Sequence, residues 1–207
     1  MNKQQLLESL REKGFSEEIV EAFSKVKRGD FVPKNVLPMA YEDTALPIGK
    51  GQTISQPYTI AVMLSLMDLK KGKGQKILEI GSGCGYVLAL LSEIAGKNGK
   101  VYGMEVLKEL AEKSKKNLED YDNVKIYVKN GSHGLKEKAP FDAIIISAAT
   151  RDIPEEIMGQ LKNHGILVAP KGSRFEQELV AIRRKSNSEF EVKKKIPGFV
   201  FVPFIEN

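Results

Sequence analysis

The chain has 207 residues, 42% hydrophobic and 29% charged, the balance of a globular domain and not of a disordered or fibrous chain. Thirty-two basic against 27 acidic side chains leave a net charge of +5, spread along the chain. A single cysteine excludes an internal disulfide and, with only two histidines, argues against a dedicated zinc site. No apolar run approaches the roughly 18 residues of a membrane span. The opening MNKQQLLESLREKG reads as an amphipathic helix and not as a signal peptide. A cytoplasmic protein of one domain is expected.

Leu6, Leu7 and Leu10 share one helical face, which Gly14 ends. Ser16 with Glu17 and Glu18 starts a second helix running to about Lys27, with Ile19, Val20 and Phe23 inward. From Arg28 to Gln56 periodicity is lost. Prolines and glycines alternate there with Phe31, Val32, Leu37, Tyr41, Leu46 and Ile48, so the segment reads as an ordered wrap. Pro57 suits a first helical turn, and Ile60, Met63, Leu64 and Met67 form the buried stripe behind it. Strands and helices then alternate: KILEI (76–80), a helix Tyr86–Ala95, KVYGME (100–105), a helix through Leu118, VKIYV (124–128) and DAIIISAA (142–149). A helix near Pro154–Leu161 and the strand GILVAP (165–170) follow. The runs QELVAIRRK, EFEVKKK and FVFVPFI then read as three strands without helices between them. Alternating βα units predict an α/β fold with a doubly wound, mostly parallel sheet, helices on both faces and an antiparallel C-terminal extension. The expected organisation is a helical and loop cap (1–72), a βα core (73–170) and antiparallel strands (171–207).

The strongest local signal is Glu79-Ile80-Gly81-Ser82-Gly83-Cys84-Gly85-Tyr86. Glycines there let the chain turn out of a strand and approach a ligand closely. The spacing is G-x-G-x-G, not the G-x-G-x-x-G of a dinucleotide fold. Glu79 precedes the loop, and Glu105 closes the next strand, where an acid can accept from ribose hydroxyls. Two acids suit a ligand with a ribose and a cationic amino-acid part, and suit a pyrophosphate poorly. The arrangement resembles the S-adenosylmethionine pocket of Rossmann-like methyltransferases. A packing turn and an NAD site are the alternatives, and the Walker pattern is absent.

The segment upstream narrows the class. Tyr41 to Gly49, followed by Gly51-Gln52-Thr53-Ile54-Ser55-Gln56-Pro57-Tyr58, closely resembles the protein-L-isoaspartate O-methyltransferase family. The likeness extends to Arg28-Gly29-Asp30-Phe31-Val32-Pro33, Leu78 to Gly83, Ala139-Pro140-Phe141-Asp142, Gln160-Leu161-Lys162 and Phe201-Val202-Pro203. It implies an enzyme that methylates the free α-carboxylate of L-isoaspartyl residues in damaged proteins and peptides. S-adenosyl-L-methionine would be the cofactor and S-adenosyl-L-homocysteine the product. By position, Ser55 matches the family's active-site serine. Gly49, Gln52, Thr53, Ile54, Gln56 and Pro57 belong to the substrate segment. Glu79, Gly81, Ser82, Gly83, Gly85, Glu105, Asn130 and Gly131 match the cofactor pocket. Without the resemblance, Ser55 reads as a helix cap before Pro57. Cys84 reads as a small filler in the loop whose oxidation would block the pocket.

The sequence departs from the family at two places. Lys129-Asn130-Gly131 stands where Gly-Asp-Gly is usual, so Asn130 offers the adenine amino group an amide oxygen without a charge. Asn163-His164-Gly165 stands where a Gly-Gly pair is usual. Asn130-Gly131 and Asn98-Gly99 are both prone to deamidation, since glycine leaves the backbone nitrogen unhindered. Two other function classes stay open on sequence: a methyltransferase acting on RNA, prompted by Arg183-Arg184-Lys185 and Lys193-Lys194-Lys195, and a non-catalytic cofactor-binding module. No aromatic residues interleave those basic runs as a base-stacking platform would require. The expected partners are therefore damaged proteins, with no nucleic acid, no membrane and no metal, for a monomeric enzyme.

Overall fold

The computed structural model describes residues 1–173 and 175–205. Seven strands make one sheet: β3 (Lys76–Ile80), β4 (Lys100–Glu105), β5 (Val124–Val128), β6 (Phe141–Ile146), β7 (Leu161–Gly172), β8 (Gln177–Arg184) and β9 (Phe190–Phe199). Their order is β5-β4-β3-β6-β7-β8-β9, parallel from β5 to β7 and antiparallel from β7 to β9. From β3 the chain steps outward to β4 and β5, through α4 (Tyr86–Ala95) and α5 (Lys108–Asn117) on one face. It then returns across the sheet to β6 by the opposite face. A crossover keeps its right hand only if the covering layer changes sides when the direction reverses. The reversal lies at β3, between β4 and β6, where open α/β sheets hold their ligands beyond the carboxyl ends of the strands.

Alternation along the strands splits the core in two. Ile77, Val101, Ala143 and Ile145 face one layer, which also takes α1 (Lys3–Glu12), α2 (Glu17–Lys25), α3 (Pro57–Leu66) and α4. Leu78, Ile80, Ile144 and Ile146 face the other, closed by Ile157 of a short helical turn and by Leu135 and Ile153 from the segments that lead into such turns. The N-terminal helices do not stand apart from this core. Phe23 and Phe31 meet Tyr86, the first residue of α4, at ring centroid distances of 6.1 and 5.3 Å. Among the described residues no helix is long and apolar enough to cross a membrane.

Several expectations need correction. The wrap 28–56 contains a hairpin, β1 (Leu46–Gly49) and β2 (Gln52–Ile54), turned by Lys50 and Gly51, both at positive φ. A turn of that hand matches strand twist but is usually signalled by Asn-Gly or Asp-Gly, so Lys-Gly hid it. The strand expected over 142–149 ends at Ile146, and β7 begins at Leu161, well before Gly165. The helix at 154–161 is a single turn, α6 (Glu155–Met158). Of the three C-terminal runs only two are strands. FVFVPFI leaves β9 at Phe199 and crosses the carboxyl end of the sheet as a tail, which Gln177 of β8 holds at Phe201 and which forms an isolated bridge from Pro203 to Ala149 in the loop after β6. Gly198 at φ +92 and Pro203 explain this, one bending the chain and the other lacking a ladder donor.

Candidate functional site

Glycine geometry builds the floor of the crevice. Gly81, Gly83 and Gly85 all adopt positive φ. The Gly81 and Ser82 N–H groups both donate to the Met104 carbonyl, which pins the loop against the end of β4. Gly85 is spaced for packing: a Cβ there would lie 2.4 Å from Ser114 Oγ. Gly131 also admits no side chain, since its Cβ would fall 2.2 Å from Ile80 Cγ2.

The two acids have different surroundings. Glu105 Oε2 accepts the Gly83 N–H at 2.8 Å and Oε1 accepts the Leu107 N–H at 2.9 Å, so both oxygens are held by backbone. Glu79 is buried and, among the described residues, its Oε1 accepts only the Ser147 hydroxyl, at 2.7 Å. Oε2 has no partner among the described residues, and neither has the buried Ser82 hydroxyl. Burial pushes the Glu79 carboxyl up to about 8, with the Glu105 charge adding to the rise and the Ser147 donor opposing it.

The hairpin forms a wall. Leu46, Ile48 and Ile54 turn into the core, while Gln52 and Thr53 turn toward the crevice. At its tip Lys50 Nζ reaches Glu109 Oε1 of α5, 2.7 Å away. Its base is held by Arg28, which is fully buried, donates to the Thr44 carbonyl at 3.3 Å and lies over the Tyr86 ring at 5.2 Å. Beyond the hairpin Gln56 occupies the cap position of α3 but makes no side-chain capping bond. The cap comes from Asp43, whose Oδ1 accepts the Tyr58 N–H at 2.8 Å. Ser55 is therefore not the helix cap, and its hydroxyl makes no hydrogen bond among the described residues.

Two cavities meet here. The inner one is lined by Gln52, Thr53, Gly81, Gly83, Glu105 and Gly131 of the expected residues. The outer one, about 500 Å³, is lined by Thr53, Ser55 and Gln56 together with the tail from Ile196 to Val202. Thr53, Ser147 and Val202 line both. Ile54 and Pro57 are instead buried in the core, and Gly49 lines neither cavity. Asn130 lies just outside, its Oδ1 accepting the Ser132 N–H at 2.7 Å and its Nδ2 facing the Ile205 carbonyl at 3.4 Å. Cys84 lines neither cavity. Burial pushes its thiol up to about 11, which makes it inert and removes the expectation that its oxidation would block the pocket.

Sequence reasoning passed over Ser147, Asp43 and Val202 as site residues. Ser147 had a signal, being the first residue beyond the buried run of β6 at the carboxyl end of a parallel strand. Asp43 and the tail lie in segments that carry the family resemblance but had no local signal for these roles, which depend on contacts across 15 and more residues.

The orphaned Glu79 and Ser82 oxygens, the two backbone-held oxygens of Glu105 and the glycine floor fit a ligand with an ammonium group and vicinal hydroxyls. Comparison with known proteins agrees. The family model for protein-L-isoaspartate(D-aspartate) O-methyltransferase matches residues 1–207. A relative named protein-L-isoaspartate O-methyltransferase from Methanothrix thermoacetophila is 44% identical over 207 residues, covering 99% of this chain and 95% of that protein. One from Archaeoglobus fulgidus is 43% identical over 205 residues, covering 97% and 91%. A solved protein-L-isoaspartate O-methyltransferase superposes with a TM-score of 0.89 at 28% identity, over 98% of this chain and 65% of that one. A Plasmodium falciparum protein of the same description, in complex with S-adenosyl-L-homocysteine, superposes with a TM-score of 0.85 at 28% identity over 100% of both chains.

Proposed function

The chain belongs to the protein-L-isoaspartate O-methyltransferase family, and we propose the residues by which it methylates the α-carboxylate of L-isoaspartyl residues in damaged proteins. It is an S-adenosyl-L-methionine-dependent enzyme. When bound, that cofactor supplies a methyl group on a sulfonium centre. Glu79 and Glu105 receive its cationic and ribose parts, and Gly81, Gly83 and Gly131 admit it closely. Gln52 and Thr53 close the inner cavity over it. The isoaspartyl side of the substrate enters the outer cavity, where the Ser55 hydroxyl donates to one carboxylate oxygen and aims it.

The observation that carries this reading is the pair of cavities joined at Thr53, Ser147 and Val202, with Ser55 on the outer side, Glu105 on the inner, and Glu79 behind them, bonded to the shared Ser147. The acceptor carboxylate is already ionised at neutral pH, so no base is required. Catalysis reduces to holding two groups in line, for which orientation can supply roughly 7–11 kcal/mol. Opposite charges neutralise as the new bond forms, and walls as apolar as Ile196, Phe199, Phe201 and Val202 favour that change.

An RNA acceptor finds less support. Three lysines of the two basic runs are engaged by acids: Lys195 with Glu178, Lys193 and Lys185 with Glu191. A monomer working without nucleic acid fits this mixed surface. Methyl transfer to an isoaspartyl peptide, its aspartyl twin and bulk RNA tests the reading. Transfer to the isoaspartyl peptide alone is expected. Equal transfer to both peptides, or transfer to RNA, would overturn it.

A further inference from the structure

The loop after β6 holds a residue that belongs to neither cavity alone. Ser147 leaves the sheet where β3 and β6 part, its backbone N–H donating to the Ile80 carbonyl at 2.8 Å. That bond fixes the serine beside the last turn of β3, and its hydroxyl donates to Glu79 Oε1 at 2.7 Å. Around Glu79 the polar surroundings are few. β4 contributes the Glu105 carboxylate, the glycine loop contributes the neutral Cys84 thiol, and the loop after β6 contributes Ser147. No Lys, Arg or His acts on the Glu79 carboxyl among the described residues. Among the described residues Ser147 is thus the only side chain that donates to it, and it leaves Oε2 unpartnered.

We infer that Ser147 is a positioning residue for the cofactor, fixing the Glu79 carboxylate so that Oε2 is presented to the cofactor's ammonium group. The inference rests on the cofactor reading above and adds a residue to it. A carboxylate pinned at one oxygen keeps one orientation. Without the serine, Glu79 turns about its terminal torsion, which is broad for an sp²-ended side chain, and the ionised form also loses its only donor. Ser147 acts on cofactor capture more than on methyl transfer, since Ser55 aims the acceptor from the other side of the junction.

Ser147→Ala and Ser147→Thr test this, the second restoring a hydroxyl at the same branch point. S-adenosyl-L-homocysteine binding is measured by calorimetry between pH 6 and 7.5, below the roughly 7.7–8.0 at which an α-amino group loses its proton. At pH 7 the alanine variant is expected to bind about ten- to a hundredfold more weakly, the loss of one hydrogen bond to a charged group. The threonine variant should recover to within about threefold. In turnover the alanine variant's KM for S-adenosyl-L-methionine rises by the same factor, and kcat at saturation changes by less than about threefold. Free alanine variant should also keep losing thermal stability to a higher pH than free wild type, because the donor that eases ionisation of Glu79 is gone. Wild-type affinity in Ser147→Ala, or a loss confined to kcat, would overturn the inference. So would a threonine variant no better than alanine. If wild type itself fails to bind the cofactor product, the cofactor reading fails, and the inference falls with it for that separate reason.

Discussion

Glu79→Gln isolates the electrostatics of the inner cavity. Glutamine keeps an acceptor for the Ser147 hydroxyl and cannot ionise. In wild type the carboxyl is pushed up to about 8 from an ordinary 4.5. The folded protein therefore holds a proton that the unfolded chain releases between those values. Stability from the neutral acid is fully present below pH 4.5 and is lost as pH rises to about 8. At 1.36 kcal/mol per unit, the loss by pH 8 is at most about 5 kcal/mol. The variant should match wild type at pH 4.5 and exceed it at pH 8. For a chain of this length each kcal/mol moves Tm by about 2–4 °C, so the gap at pH 8 reaches roughly 10–20 °C.

Binding runs the other way. An ammonium beside Oε2 requires the ionised acid, so wild type must release a proton on binding, about 0.9 at pH 7 for a group titrating near 8. Calorimetry in buffers of different ionisation enthalpy counts that proton directly. Affinity for S-adenosyl-L-homocysteine should rise close to tenfold per pH unit between pH 6 and 7.5 in wild type. It should stay flat and weaker in Glu79→Gln. A wild type with no proton release, or a variant no more stable than wild type at pH 8, would refute the reasoning.

The remaining predictions are local. Ser55→Ala should lower kcat about ten- to a hundredfold, one hydrogen bond to a carboxylate, with cofactor affinity within about twofold; a large loss of cofactor binding would count against the assigned role. Asp43→Ala removes the side-chain hydrogen bond that caps α3 and should cost about 1 kcal/mol of stability in chemical denaturation. Asn130→Asp keeps the acceptor for Ser132 and adds charge near the inner cavity; cofactor titration should show about fivefold tighter binding, the gain of a charge-assisted bond over a neutral one. In aged protein, peptide mass mapping should find Asn98 converted before Asn130, because Asn130 is tied at both side-chain atoms and Asn98 is exposed without a side-chain bond among the described residues; an Asn130 that converts first would contradict this.

What was legible in the sequence was whatever local chemistry enforces. Three βα units and their order of faces follow from apolar runs such as KILEI and AIII, and the glycine loop follows from Gly81, Gly83 and Gly85. The elements missed are those whose stability is not local. The hairpin at Lys50-Gly51 carries a weak turn signal and is held from outside, by Arg28 at its base and Glu109 at its tip. The tail reads as a strand because Phe199, Phe201 and Val202 are apolar. Those side chains are buried or half-buried by the cavities they line and not by a strand ladder. Two buried hydrogen bonds between Gln177 and the Phe201 backbone fix the start of that tail, a contact that no periodicity records. Ser55 is the instructive case: alone it looks like a cap, and only the finding that Asp43 supplies the cap frees its hydroxyl for another task.

The two glutamates show how one residue type serves two ends of a ligand. Glu105 spends both oxygens on backbone donors, so its carboxylate stands preset in the wall of the inner cavity, with lone pairs remaining for hydroxyl groups. Glu79 has one donor and one bare oxygen in an apolar enclosure. Leaving that oxygen ionised and alone costs too much, so the free site keeps a proton there. A cation is the partner that replaces the proton with least loss, and a hydroxyl or a second anion is not. The pocket thus discriminates by charge at Glu79 and by hydrogen-bond geometry at Glu105. A neutral analogue lacking the amino group would leave Glu79 protonated and release no proton on binding. That comparison separates selection by charge from selection by shape.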